Sequence, residues 1–159
     1  MRLNTLIRRI ERLQGEVVPA VREACERERK AIVELNRLQL QRGLNAEGEM
    51  MNGGVYSGSY AAYRRKKGLP ADHVYLMLTG GLQEGMDVEF TETGFSVVTT
   101  DWKQRLVEES MRTGYWPSSG YNAPEYGSVF GLDETSRGML MWRIRPRVSA
   151  SIRKRLLGN

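Results

Sequence analysis

Leu3, Leu6, Ile7, Ile10 and Leu13 recur at helical spacing while Arg8, Arg9 and Arg12 turn elsewhere, which predicts a first amphipathic helix. Gly15 and Pro19 limit it. A second apolar pattern runs through Val21, Ala24, Cys25, Ile32, Leu35 and Leu38, and Gly43 supplies its stop. Proline is tolerated at the start of a helix, so one kinked helix over both patterns is the alternative. Met86, Val88 and Phe90 alternate with Asp87 and Glu89, and a second run covers Phe95 to Thr100 after Glu92, Thr93 and Gly94. This predicts a β-hairpin over 86–100, with Gly94 at positive φ in a three-residue loop. Val74 to Leu78 reads as a further short strand.

Between these elements the pattern fades. From Leu44 to His73 the chain holds Gly48, Gly53, Gly54, Gly58, Gly68 and Pro70 with few aliphatic anchors, so a long loop is expected, with a short helix around Tyr60 to Lys66. Asp101 caps a short helix ending near Glu109, with Trp102 and Leu106 facing the core. Ser110 to Ser128 has no periodicity and gathers Tyr115, Trp116, Tyr121 and Tyr126 among Gly and Ser. Asp133 caps a final helix containing Met139, Leu140, Trp142 and Ile144. Pro146 kinks or restarts this helix, and Val148, Ile152, Leu156 and Leu157 line one side of its continuation. The expected fold class is α+β: a small antiparallel sheet (hairpin 86–100 plus strand 74–78) packed by N-terminal and C-terminal helices. One domain covers 1–159, divided into a helical region 1–42, a loop 43–73, strands 74–101, a short helix 102–109, an aromatic loop 110–132 and a basic helix 133–157.

Charge adds a segregation that the net value of +5 hides. Residues 1–83 carry 14 basic and 9 acidic side chains, residues 84–134 carry 3 and 10, and residues 135–159 carry 7 and none, giving +5, −7 and +7. Opposite potentials steer encounter, so an acidic middle between basic ends suits complementary faces of a self-assembling subunit, and internal neutralisation suits it equally. Residues 143–155 hold six basic side chains and no acid, which calls for a negative neighbour, here expected from the 84–134 block of another copy or from an acidic surface of a neighbouring ring.

Candidate chemistry is sparse. With one His73 and one Cys25, no His/Cys metal site of the usual ligand count forms within one chain, so no metal and no cofactor is expected. Cys25 suits a reducing compartment, and no apolar run approaches the roughly 20 residues of a membrane span. His73 beside Asp72 lacks a Ser or Cys partner and reads as a surface residue. The glycines of 79–85 lack the Lys-Ser/Thr pair of a phosphate loop and read as a tight turn. Tyr56 and Tyr60 ahead of Tyr63, Arg64, Arg65, Lys66 and Lys67 form the best nucleic-acid candidate, because base stacking and phosphate neutralisation use these residue types; the basic tail is another, although its interleaved Val148, Ile152 and Leu156 require one face to be buried.

Several motifs, taken in order, resemble the tail-completion and neck proteins of tailed bacteriophages (the HK97 gp10-like and Mu-type virion morphogenesis group). They are Glu34-Leu35-Asn36 with Gln39-Leu40 and Gly43, the loop Tyr60 to Gly68, the L-x-x-T-G-x-L run from Leu76 to Leu82, and Phe130-Gly131-Leu132-Asp133 opening a basic helix. The resemblance covers about residues 30–157 and departs in the N-terminal helix and the 110–128 segment. It implies a non-enzymatic virion protein forming a homo-oligomeric ring at the head-tail junction. Its neighbours would be neck, portal-adaptor or tail proteins, with contact to genome DNA and no membrane, and it would pass through the host cytoplasm during assembly. The expected interface residues are Tyr115, Trp116, Tyr121, Tyr126, Arg143, Arg147, Arg153, Lys154 and Arg155. A basic nucleic-acid-binding or regulatory protein is the alternative.

Overall fold

A computed structural model describes residues 3–74, 76, 80–100, 109, 113, 115–116, 121–122 and 127–157. Helices α1 (Leu3–Arg27), α2 (Arg29–Gln41), α3 (Gly58–Lys66), α4 (Gly81–Glu84) and α5 (Glu134–Leu157) frame strands β1 (Met86–Phe90), β2 (Phe95–Thr99), β3 (Tyr115–Trp116) and β4 (Tyr121–Asn122). The fold is α+β, with terminal helices packed around a small antiparallel sheet. No described helix is long and apolar enough to cross a membrane.

The first helix passes through both Gly15 and Pro19, where the sequence predicts an end or a kink, and the chain breaks instead at Glu28. Pro19 lies on the exposed side, so the carbonyl its missing N–H leaves free faces water and the ladder continues around it. Pro146 is likewise exposed, and α5 runs through it without a restart. At Glu28 the backbone N–H donates to the carbonyl of Cys25, a tightened last turn, while the Glu28 side chain is buried.

Burial of that carboxylate follows from α5. Arg143 donates to Glu28 at 2.9 Å and Arg147 donates to its other oxygen. Further along, Arg155 donates to Glu16 at 3.1 Å and to Glu23 at 3.3 Å, so α1 and α5 run antiparallel. The negative neighbour of the C-terminal helix is therefore the first helix of the same chain. Arg143, Arg147 and Arg155, expected at an interface with another copy, thus have acidic partners within the chain, the first two remaining about half exposed. Between the charged ends, Ala24, Cys25, Leu140 and Ile144 are buried, with Val21 and Val148 packed against them.

The hairpin lies where alternation places it, with Met86 opposite Thr99 and Phe90 opposite Phe95. Its loop has four residues, 91–94, closed by Thr91 N–H donating to the Gly94 carbonyl and Gly94 N–H donating to Thr91 Oγ1. Gly94 is not among the positive-φ glycines, so the loop needs no left-handed residue there. Met86, Val88 and Val97 turn into the core, and Arg29 pairs with Asp87 at 2.8 Å on the outside. Gly85 cannot be replaced without movement, because a Cβ there would meet Thr100 Oγ1 at 2.7 Å and Thr99 Oγ1 at 2.8 Å. The expected strand over Val74 to Leu78 is absent at Val74 and Leu76. Leu76 has φ 50°, which a strand does not admit, and the other three positions lie outside the described residues. The expected helix 102–109, with Trp102 and Leu106, lies outside them too, apart from Glu109.

A buried network of side-chain amides joins the irregular segments. Gln39 donates to the carbonyls of Asn45 (2.8 Å) and Gly131 (3.2 Å) and accepts from the Asp133 N–H (2.8 Å). Asn36 donates to the carbonyls of Val129 (3.2 Å) and Gly131 (2.7 Å). Asn45 Oδ1 accepts the N–H groups of Glu47 and Glu49. Asp133 then caps α5, its carboxylate accepting the Ser136 N–H at 2.7 Å.

The Glu28 bridge generates the first prediction. Glu28→Ala should lower stability by on the order of 2 kcal/mol in urea unfolding, because two charge-assisted bonds to a buried carboxylate are lost. Glu23→Ala, at a half-exposed site, should cost less. The two guanidiniums, Arg147 first, hold the Glu28 carboxyl below its ordinary value, so its contribution persists above pH 4.5 and disappears as pH falls through the depressed pKa. Equal costs for the two variants would show that the bridge does not brace the helix pair.

Candidate functional site

In α5 the buried positions Ser136, Leu140 and Ile144 recur every four residues, with Val148 next in register. Trp142 lies two residues from Leu140, a rotation of roughly 200° on a helix, and so points away from the core. It is 80% exposed. Met139 flanks it, and Leu38 of α2 is also largely uncovered. Leu35, Thr135, Gly138, Met139, Trp142 and Arg143 line a shallow cleft of about 520 Å³ between the two helices. Gly138 keeps the floor low, since nothing lies within 4 Å of the position its Cβ would take. Contiguous apolar surface rimmed by charge is the usual mark of a contact site.

This face is only partly legible in the sequence. Leu35, Leu38, Met139 and Trp142 all belong to helical patterns there. The signal that separates them from core residues is the four-residue repeat of Ser136, Leu140 and Ile144, which leaves Trp142 on the opposite side.

Among the expected interface residues, Arg153 and Lys154 are exposed and make no ion pair among the described residues. Tyr115 and Trp116 pair in register with Asn122 and Tyr121 as a two-residue antiparallel ladder. The 110–128 segment thus holds some structure of its own, where its lack of periodicity predicts none. The side chains of Tyr115, Trp116 and Tyr121, and all of Tyr126, lie outside the described residues.

The basic run divides sharply. Arg64 is buried, with its Nε donating to the Pro70 carbonyl at 2.8 Å and its guanidinium 4.6 Å from the Tyr56 ring centroid. It holds the α3 turn together and is not a surface contact, which corrects its assignment to the nucleic-acid candidate. Arg65, Lys66 and Lys67 are exposed.

His73 closes a helix end. One ring nitrogen lies 2.6 Å from the Gln41 carbonyl at the end of α2, the other 2.7 Å from Asp72. Gly43 makes room for it at φ 79°, since a Cβ there would lie 3.1 Å from the imidazole and 3.0 Å from the Val74 carbonyl. Two acceptors around one ring favour the imidazolium, so the Gln41 carbonyl and then Asp72 raise the His73 pKa above its ordinary 6.5. Among the described residues, no group of three or more His, Cys, Asp or Glu could hold a metal ion.

A pH dependence results. The folded pKa of His73 lies above the unfolded one, so its contribution to stability is complete below about pH 6.5 and is lost as pH rises through the raised value. His73→Ala should flatten the unfolding free energy across that window. An unchanged slope in the variant would remove His73 as the titrating cap.

The chain's relation to known proteins adds no constraint to this geometry: no family model, no curated protein and no solved structure matches it.

Proposed function

We propose that the chain is a structural virion protein of a tailed bacteriophage, a subunit of a ring at the head-tail junction that joins head to tail by protein-protein contacts rather than by catalysis. The observation that carries this reading is the outward Trp142 with Met139 and Leu35 around a shallow cleft. Tryptophan dominates interface energetics when buried, and an apolar face of this kind on a small domain suits contact with another chain.

Two further observations support the reading. The motif Asn36 with Gln39 and the motif Phe130-Gly131-Leu132-Asp133, both part of the resemblance to the phage neck group, meet in one buried network although 92 to 95 residues separate the bonded partners. Their common occurrence thus has a physical reason. Second, the charges left on the outside are of both signs. Glu89 and Glu92 are exposed on the hairpin, and Arg145, Arg153 and Lys154 on α5. Surfaces of opposite sign on one subunit favour head-to-tail contacts, and such contacts close into rings when the rotation permits. On this reading the protein passes through the host cytoplasm before entering the virion, with neck, portal-adaptor or tail proteins as neighbours. Ring formation, not turnover, is its activity.

The test is assembly. Trp142→Ser with Met139→Ser removes outward side chains and should leave the circular dichroism spectrum unchanged, while weakening self-association in sedimentation by at least about 30-fold. Particles assembled with this variant should lack the ring. Unaltered association, or complete particles at the normal copy number, would refute the apolar face as the docking element.

A further inference from the structure

Helix α3 carries a second surface, of a different chemistry from the apolar face. Tyr56, Tyr60 and Tyr63 follow one another in space. The first two rings meet edge to face at 5.2 Å between centroids, and the second and third stack at 5.9 Å with 22° between planes. The buried Arg64 guanidinium, 4.6 Å from the Tyr56 centroid and 5.9 Å from that of Tyr60, fixes this row from behind. Tyr60 and Tyr63 stay exposed, Tyr63 at 44%. One turn further on, Lys67 Nζ lies 5.9 Å from the Tyr63 centroid, and Arg65 and Lys66 flank it. No acidic residue occurs between positions 50 and 71.

The geometry points to a binding surface for single-stranded nucleic acid, with Tyr60 and Tyr63 stacking bases and Arg65, Lys66 and Lys67 neutralising phosphates. A row of aromatic faces beside a cationic strip is the arrangement by which proteins hold single strands without sequence preference. The aromatic row selects against the other obvious polyanion, an acidic peptide. The face of a phenol ring carries the negative part of its quadrupole, so carboxylates avoid the surface that a base stacks on. Arg64 preorganises the platform: its rings are already ordered in the free protein, so binding need not order them. A duplex keeps its bases stacked internally and offers the tyrosines only sugar and phosphate.

This surface does not include the α2/α5 face, so its test is independent of ring formation. Fluorescence anisotropy of a labelled dT oligomer of about 12 nucleotides, at about 50 mM salt, should show binding that weakens with added salt. Tyr60→Ala and Tyr63→Ala should each weaken it roughly five- to 150-fold. The exposed triple variant Arg65→Gln, Lys66→Gln, Lys67→Gln does not touch the core, and it should reduce the slope of log K against log salt by about 2. If the tyrosine variants lose helix content, Lys66→Glu with Lys67→Glu gives the same answer through loss of binding alone. Three outcomes overturn the proposal: no binding of the dT oligomer, binding unaffected by the tyrosine changes in folded protein, or equal or tighter binding of a duplex or of polyglutamate.

Discussion

Three buried amides, Asn36, Gln39 and Asn45, are the constraint on which the rest of the fold depends. The turn after α2 and the segment leading into α5 share only an isolated Leu44–Met50 bridge and a few backbone bonds, so several of their peptide groups depend on side chains for partners. A buried peptide group without a partner costs about 1 to 3 kcal/mol. Gln39 alone answers three such groups, two carbonyls and one N–H. Because the N–H it binds belongs to Asp133, the same side chain sets the capping residue of α5. Val129, Phe130 and Leu132 enter the core on the backbone that this network holds. Replacing Gln39 by an apolar residue of similar size would remove all three bonds at once, leaving the Gly131 carbonyl to Asn36 alone.

Local signals are legible where one residue pattern decides one element. Alternation through Met86, Val88 and Phe90 places the hairpin, Gly43 marks the end of α2, and Asp133 marks the start of α5. Signals that depend on which side of an element faces water are not. Pro19 and Pro146 each cost a helical hydrogen bond, and whether the helix continues past them depends on packing and on the exposure of the freed carbonyl. Charge totals mislead for a related reason. Glu16, Glu23 and Glu28 sit in a block whose net charge is positive, so block sums conceal that they answer the arginines of α5. Of the candidate site, the basic run can be read directly, but the inward turn of Arg64 cannot, since a fully buried guanidinium is rare unless paired or enclosed.

The arginines of α5 therefore divide by register rather than by composition. Arg143, Arg147 and Arg155 lie toward α1 and brace the helix pair, whereas Arg153 and Lys154 remain outward. Charge reversal at the first three acts on the fold of the subunit itself, whereas the outward Arg145, Arg153 and Lys154 report more cleanly on contact with another chain. The apolar cleft borders this brace at Arg143, which lines the one and belongs to the other, whereas the tyrosine row on α3 contains none of its residues.

The pairing of the first helix with the last has a consequence during synthesis. The acceptor Glu16 and the donor Arg155 are 139 residues apart, and Glu28 waits 115 residues for Arg143. At roughly 5 to 20 residues per second, α1 leaves the ribosome about 6 to 30 s before its counterpart exists. During that interval Ala24 and Cys25, buried in the folded chain, have no Leu140 or Ile144 beside them in the core. Closure of the helix pair therefore waits for α5, and until Arg143, Arg147 and Arg155 have emerged Glu28 and Glu16 lack the arginines that answer them in the folded chain.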